Sequence, residues 1–271
     1  FENNHRDFTL FKNYTGAGTD VENLQIINNI MTDSEQSSIL IWSYGSGLAG
    51  AIDINGNTIT SDVGVMTANW PKIDVRLDSS YTHAPVNINE NSITFSGTYG
   101  AGATAVYGIK VRGASDTINI ERNTLDGGNV GSSGGIPETS GIYVQTDDST
   151  MGTISATAVI NVANNSITGF DNAVSVYNAV GATYGNLTAG AQLNISNNSL
   201  AGNTAGVVSG AGAVANASNN WWGSVVEATV AGLMSGPVDF TSYLNSGADT
   251  DGGTTGFQGD FSSLTVTDEG A

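Results

Sequence analysis

The stretch Ile118-Asn-Ile-Glu-Arg-Asn-Thr-Leu125 decides how this chain is read, because its pattern, apolar–x–apolar–x–x–Asn–x–apolar, returns along most of the sequence. It recurs as LQIINNIM (Leu24 to Met31), IDINGNTI (Ile52 to Ile59), VNINENSI (Val86 to Ile93), INVANNSI (Ile160 to Ile167), LNISNNSL (Leu193 to Leu200) and ANASNNWW (Ala215 to Trp222). FTLFKNYT (Phe8 to Thr15) is a weaker copy. The sixth position is Asn throughout: Asn13, Asn29, Asn57, Asn91, Asn123, Asn165, Asn198 and Asn220. The first half of each copy alternates with period two, the mark of a strand with one buried face. Asn then suits a corner, since it tolerates the left-handed backbone region. Stacked copies would place the asparagines in one column, where buried amides satisfy one another.

A second strand signal falls between copies: GVMT (Gly64 to Thr67), GIKVRG (Gly108 to Gly113), GIYVQT (Gly141 to Thr146), AVSVYN (Ala173 to Asn178) and GVVSG (Gly206 to Gly210). The asparagine spacing is uneven, at 16, 28, 34, 32, 42, 33 and 22 residues. A β-solenoid tolerates such variation because the surplus leaves through loops. GGNVGSSGGIPETSG and FSGTYGAGATAVYG read as two of these loops.

Over about residues 8 to 244, the repeated phrase, the GIxV strands and the closing Asn-Trp-Trp-Gly (Asn220 to Gly223) resemble the right-handed parallel β-helix family, the pectate-lyase-like superfamily in its broad form. The resemblance implies an all-β, right-handed, single-stranded parallel β-helix of about eight irregular coils with a C-terminal cap. It leaves activity open, since that fold carries lyases, hydrolases, epimerases, tailspikes and adhesins. Residues 1–244 are assigned to the β-helix with its cap, and 245–271 to an acidic Gly/Thr-rich tail or linker. Within the cap, SVVEATVAGLM (Ser224 to Met234) has the spacing of a short helix. The tail is similar in flavour to the joints of large bacterial secreted surface proteins, which implies an extracellular or cell-surface setting.

The 271 residues carry 25 Asp and Glu against 7 Lys and Arg, a net charge of −18. Nucleic acid is excluded as a partner by the missing basic stripe. No apolar run is long enough to span a bilayer, so membrane insertion is excluded as well. The absence of Cys removes disulfides and cysteine–metal sites. The opening FENNHRDFTL, without Met, reads as part of a longer protein.

Candidate chemistry is sparse. Asp147 and Asp148 are adjacent carboxylates, as a hydrolase would need, but neighbours in a strand point to opposite faces. Lys110 and Arg112 share one strand face, with Arg122 nearby and Asp116, Glu121 and Asp126 as possible acid ligands, an arrangement a Ca²⁺-dependent lyase could use. Asp249 and Asp251 in ADTDGG alternate as in a calcium loop, without the later Glu of an EF-hand. Ca²⁺ is therefore the one cofactor the sequence admits. Tyr143 and Tyr177 alternate with core residues and are expected on the outer surface, where they could stack on sugars. Thr-x-Thr rows of the kind an ice-binding face requires are not evident in the sequence. Together these features read as a non-catalytic surface or matrix module, acting as scaffold, in adhesion or by end-to-end packing with other copies. A polysaccharide lyase or hydrolase, or a module that binds extracellular glycan, is the alternative.

Overall fold

A computed structural model describes residues 4–13, 23–44, 48–131, 138–148, 152–178 and 183–266. Part of the loop read from GGNVGSSGGIPETSG, residues 132–137, lies outside the described residues. The chain forms a parallel β-solenoid whose strands stack into three faces. The first face runs Phe8–Asn13, Ile39–Tyr44, Pro71–Leu77, Tyr107–Arg112, Ser140–Asp148, Asn172–Asn178, Ala205–Val208 and Met234–Ser235. The second runs Leu24–Ile27, Ile52–Asn55, Val86–Asn89, Thr117–Glu121, Val159–Ala163, Gln192–Ser196, Ala215–Asn216 and Val238–Asp239. The third has five strands, Ile30–Thr32, Thr58–Asp62, Ser92–Ser96, Thr124–Asp126 and Ser166–Thr168. It continues as single bridges through Ser199 and Trp221. Among the described residues the first sheet also takes in Gly152–Thr153 and Thr183–Tyr184 at its margin, and the third side thins from strands to single bridges in the last coils.

Each coil sends alternate residues inward. Ile54, Ile88, Ile120, Val162 and Ile195 stack on the second face, and Met31, Ile59, Ile93, Leu125 and Ile167 on the third, all buried in one continuous core. The corner between these faces holds the asparagine ladder. From Asn29 to Asn198, the backbone N–H and the Nδ2 of each asparagine donate to Oδ1 of the next, at 2.8–3.0 Å. From Asn57 to Asn220, each Nδ2 also donates to a carbonyl of the preceding coil, among them Ile26, Ile88 and Ile195, at 2.7–2.9 Å. Every amide in the file is spent, which is why a fully buried Asn is tolerated at Asn57, Asn91, Asn123, Asn165, Asn198 and Asn220.

Three sequence expectations need correction. The left-handed residue of the corner is not the ladder asparagine but the one before it. Asn28, Gly56, Glu90, Arg122, Asn164, Asn197 and Asn219 have φ between +53° and +65°. Asn13 does not stand in the corner; its backbone pairs with Tyr44 on the first face, because Phe8–Asn13 runs on as one strand. GVMT is not a strand either: Val63–Val65 form a 3-10 turn, started by Asp62 accepting from the Gly64 N–H. The first-face strand of that coil is Pro71–Leu77.

After Trp221 the chain makes one short helix, Glu227–Ala231, with Val230 buried. Tyr243–Leu244 then pairs antiparallel with Leu264–Thr265. Between them the chain passes back along the solenoid. The Phe257 N–H donates to the Asn164 carbonyl at 2.8 Å, and the Phe257 ring is buried. Gly256 rests on Arg122 so closely that a Cβ would lie 2.6 Å from its Cα, so only glycine fits there.

The outward residues of the third face correct a further expectation. Register pairs Ile30, Thr58, Ser92, Thr124 and Ser166 in one row, which single bridges carry on to Ser199 and Trp221. A second row, two residues on, holds Thr32, Thr60, Thr94, Asp126 and Thr168. Hydroxyl rows do line up on consecutive coils. Unequal loops hide them in a linear reading, whereas counting one and three residues on from Asn57, Asn91 and Asn165 gives a hydroxyl each time.

Candidate functional site

The cations converge on the outside of the first face. In Pro71–Leu77, Ile73, Val75 and Leu77 fill the core, leaving Lys72, Asp74 and Arg76 outward. The next strand places Lys110 beside Asp74 and Arg112 beside Arg76. Tyr143 and Gln145 follow in register, then Ser175 and Tyr177. Four of the chain's seven Lys and Arg residues therefore sit on two adjacent strands.

Asp74 is the hub of this cluster. Its Oδ2 accepts from Arg76 Nε (2.9 Å) and Nη2 (2.7 Å) and from Arg112 Nη2 (2.7 Å), and its Oδ1 from Arg112 Nε (3.2 Å). Burial alone would raise this carboxyl; the Arg112 and Arg76 guanidiniums outweigh it and hold Asp74 below the ordinary carboxylate range. Arg76 also lies over Trp42 (4.6 Å) and Trp70 (5.8 Å), and Arg6 over Trp70 (5.2 Å). Lys110 Nζ stands 4.2 Å from the Tyr143 ring centre. Tyr107, Tyr143 and Tyr177 form a file with ring separations of 4.8 and 5.4 Å. Burial raises the phenols of Tyr107 and Tyr143 far above the ordinary range. Tyr184 packs against the file, and its hydroxyl donates to Glu138 Oε2 at 3.0 Å.

Lys72 is fully buried, donating to the carbonyls of Ser34 (2.8 Å) and Gln36 (3.0 Å). Burial depresses its ammonium to about 7, against the opposing pull of Asp7 and Asp33.

These contacts change the standing of the sequence candidates. Lys110 and Arg112 are brought together, but with Asp74 and the aromatic rings. Arg122 lies apart, at the ladder corner, paired with Glu90 (3.0 Å) and Glu121 (3.4 Å). Tyr143 and Tyr177 leave the coil outward, as alternation requires, yet both are buried beneath neighbouring rings and loops, so they offer no open platform. Asp147 ends a first-face strand and pairs with Thr153. Asp148 pairs with Gly152 through its backbone, and its side chain lies outside the described residues. In the tail, Asp249 accepts from the Asp251 N–H (3.0 Å), and Asp251 from the Gly253 N–H (3.2 Å) and the Thr254 hydroxyl (2.8 Å). Both carboxylates close local turns. Among the described residues, no group of three or more His, Asp or Glu side chains is placed to hold a metal ion.

Asp74, Arg76, Trp42 and Trp70 escape the sequence reading. The alternation in PKIDVRL, with charges at every second position between core residues, is the signal that marks Asp74 and Arg76. A polar recess of about 290 Å³ opens beside Tyr184, with Thr146, Asp147, Asn178 and Asn186 on its walls. No protein-family model, curated protein or solved structure matches this chain.

Proposed function

We propose that this chain is a non-catalytic module of a bacterial extracellular surface or matrix protein. In this reading it is a right-handed β-helix of the pectate-lyase-like kind, serving as a stiff spacer that presents its loops and faces. The supporting observation is the state of the first-face cluster. Arg112 and Arg76 are committed to Asp74, and Lys110 lies against Tyr143, so the groups with the best chemistry hold the coil together. A base beside a bound polyanion would instead have to be free to meet it. The acidic surface keeps such a rod soluble, and the segment 245–271 would join it to a neighbouring module. The test is incubation with a panel of acidic and neutral polysaccharides, with and without Ca²⁺, and then detection of unsaturated uronate and new reducing ends. No product is expected. Turnover that disappears in Lys110→Ala or Arg112→Ala would replace this reading with a lyase or hydrolase.

A second reading, glycan binding without turnover, rests on the recess beside Tyr184, where one aromatic wall faces hydroxyls, amides and a carboxylate. Saturable binding of an oligosaccharide that is lost in Tyr184→Ala would favour it.

A further inference from the structure

The third face is the part of the surface that the structural role leaves unexplained. We propose that it binds ice, with crystalline water as its ligand. This goes beyond the spacer role and stands or falls independently of it.

Its two outward rows repeat in two directions. Neighbouring strands lie ~4.8 Å apart, and residues two apart along a strand are separated by ~6.6 Å. These are close to the repeats of oxygen planes in hexagonal ice. Spacing alone does not suffice, because ordinary sheets twist out of register with a flat crystal. Here each first-row residue comes directly after a ladder asparagine: Asn57–Thr58, Asn91–Ser92, Asn123–Thr124, Asn165–Ser166. The N–H of each also hangs from the ladder carbonyl one coil back, Thr58 from Asn29, Ser92 from Asn57, Thr124 from Asn91 and Ser166 from Asn123, at 2.8–2.9 Å. The buried amide file therefore sets the rung spacing of the hydroxyls above it.

Chemistry narrows the choice of occupant. Asp126 is the one ionisable side chain in either row, in a chain of net charge −18. Charged groups hold a tightly oriented liquid-like shell, whereas hydroxyls interleaved with threonine methyls can share a crystalline water layer. Ile30, Thr58, Thr60 and Thr168 are exposed and the remaining row residues half-exposed. From the coil of Ile30 to that of Ser199 neither row carries an aromatic side chain to stack on a pyranose ring, and Trp221, next in line, is packed against Gly247. The other faces are less suited. The outside of the first is covered by rings and loops. On the second, Asp53, Asn87, Asn119, Asn161 and Asn194 bond one another at 2.8–3.0 Å, with Glu121 beside them.

The experiment is partition of the fluorescently labelled full chain into slowly grown ice, together with inhibition of ice recrystallisation. The native chain should enter the ice, and Thr60→Tyr/Thr94→Tyr should fall to the level of a non-binding reference protein. Gln192→Tyr on the second face should behave as the native chain, and Asp126→Thr should partition at least as strongly as the native chain. Circular dichroism and a denaturant midpoint establish that each variant is folded. Should the double variant not fold, Thr60→Asp on the exposed surface takes its place, with the same loss expected. Exclusion of the folded native chain from ice overturns the proposal. So does entry of either folded row variant at the native level, or retention on crystalline cellulose or chitin by a chain that ice excludes.

Discussion

Replacing Asn123 with alanine tests the ladder at its centre. Asn123 Oδ1 accepts from the Asn91 N–H and Nδ2, both at 2.9 Å, while the two hydrogens of Asn123 Nδ2 are shared among Asn165 Oδ1 (2.9 Å), the Ile88 carbonyl (2.8 Å) and the Glu121 carbonyl (3.1 Å). Alanine orphans the buried Asn91 N–H, at about 1–3 kcal/mol, and removes the bonding of the two Nδ2 hydrogens, at about 1 kcal/mol each, so the expected loss is about 3–5 kcal/mol. Asn119 is the internal control. It makes similar amide bonds on the half-exposed second face, where water can replace them, so Asn119→Ala should cost less than about 1 kcal/mol. Urea titration read by tryptophan fluorescence and far-UV circular dichroism measures both, with the slope checked for constancy. Asn123→Asp adds a second diagnostic. A carboxylate can accept but cannot donate, so at neutral pH it should be worse than alanine, recovering in part as acid restores a proton that can be donated. Equal midpoints for Asn123→Ala and Asn119→Ala would refute the idea that the buried file, rather than hydrophobic stacking alone, holds the coils in register.

Asp74→Asn should cost about 3–5 kcal/mol, since it leaves the Arg76 and Arg112 charges buried without their counterion. Because the Asp74 carboxyl is depressed, the native chain keeps that stability above the ordinary value of 3.8 and loses it as pH falls through the lower folded value; the variant should therefore have a flatter acid limb in a denaturant–pH series. Lys72 works in the opposite direction along the scale. Its ammonium is depressed from 10.5 to about 7, so between these values the unfolded chain binds the extra proton and stability climbs with pH. A shift of that size corresponds to about 5 kcal/mol, and Lys72→Met should remove the climb in thermal unfolding measured from pH 7 to 10. Spectrophotometric alkaline titration should show Tyr184 ionising near 12, raised by burial and by its bond to Glu138, and Tyr107 and Tyr143 ionising only when the fold is lost. Normal titration of all tyrosines in the folded chain would contradict the buried ring file.

The second and third faces were legible because one phrase encodes both. Two inward residues, a left-handed residue, the ladder asparagine and one more inward residue make a complete corner in eight positions. The asparagine was visible as an invariant, but its backbone role was misassigned by one residue. That happened because the left-handed position carries four different residue types, Asn, Gly, Glu and Arg, and so shows no pattern. The left-handed conformation of Glu90 and Arg122 is unfavourable for such side chains. Their 3.0 Å ion pair, stacked across adjacent coils, helps to offset it. The hydroxyl rows were hidden for a related reason: insertions of different length precede each rung, so a fixed-period count misses them.

The first face was harder to read because what decides its character is not local. Alternation in PKIDVRL and GIKVRG gives the outward side of Asp74, Arg76, Lys110 and Arg112, and an outward charge on a strand ordinarily means a solvated one. Here the outward side is itself interior. Trp70 and Tyr99 arrive from the loops between coils, and the carbonyls of Ser34 and Gln36 close over Lys72. The core takes in Phe95, Phe170, Trp222 and Tyr243, while the Tyr107, Tyr143 and Tyr177 rings stand outside the coil and make a second layer with Lys110 as partner. Arginine suits that position, since its planar guanidinium can bind a carboxylate along its edge while lying flat on an indole. The consequence for function is direct. Charges that the sequence presents as candidate catalysts are contacts between neighbouring strands, while the hydroxyl rows of the third face remain exposed or half-exposed.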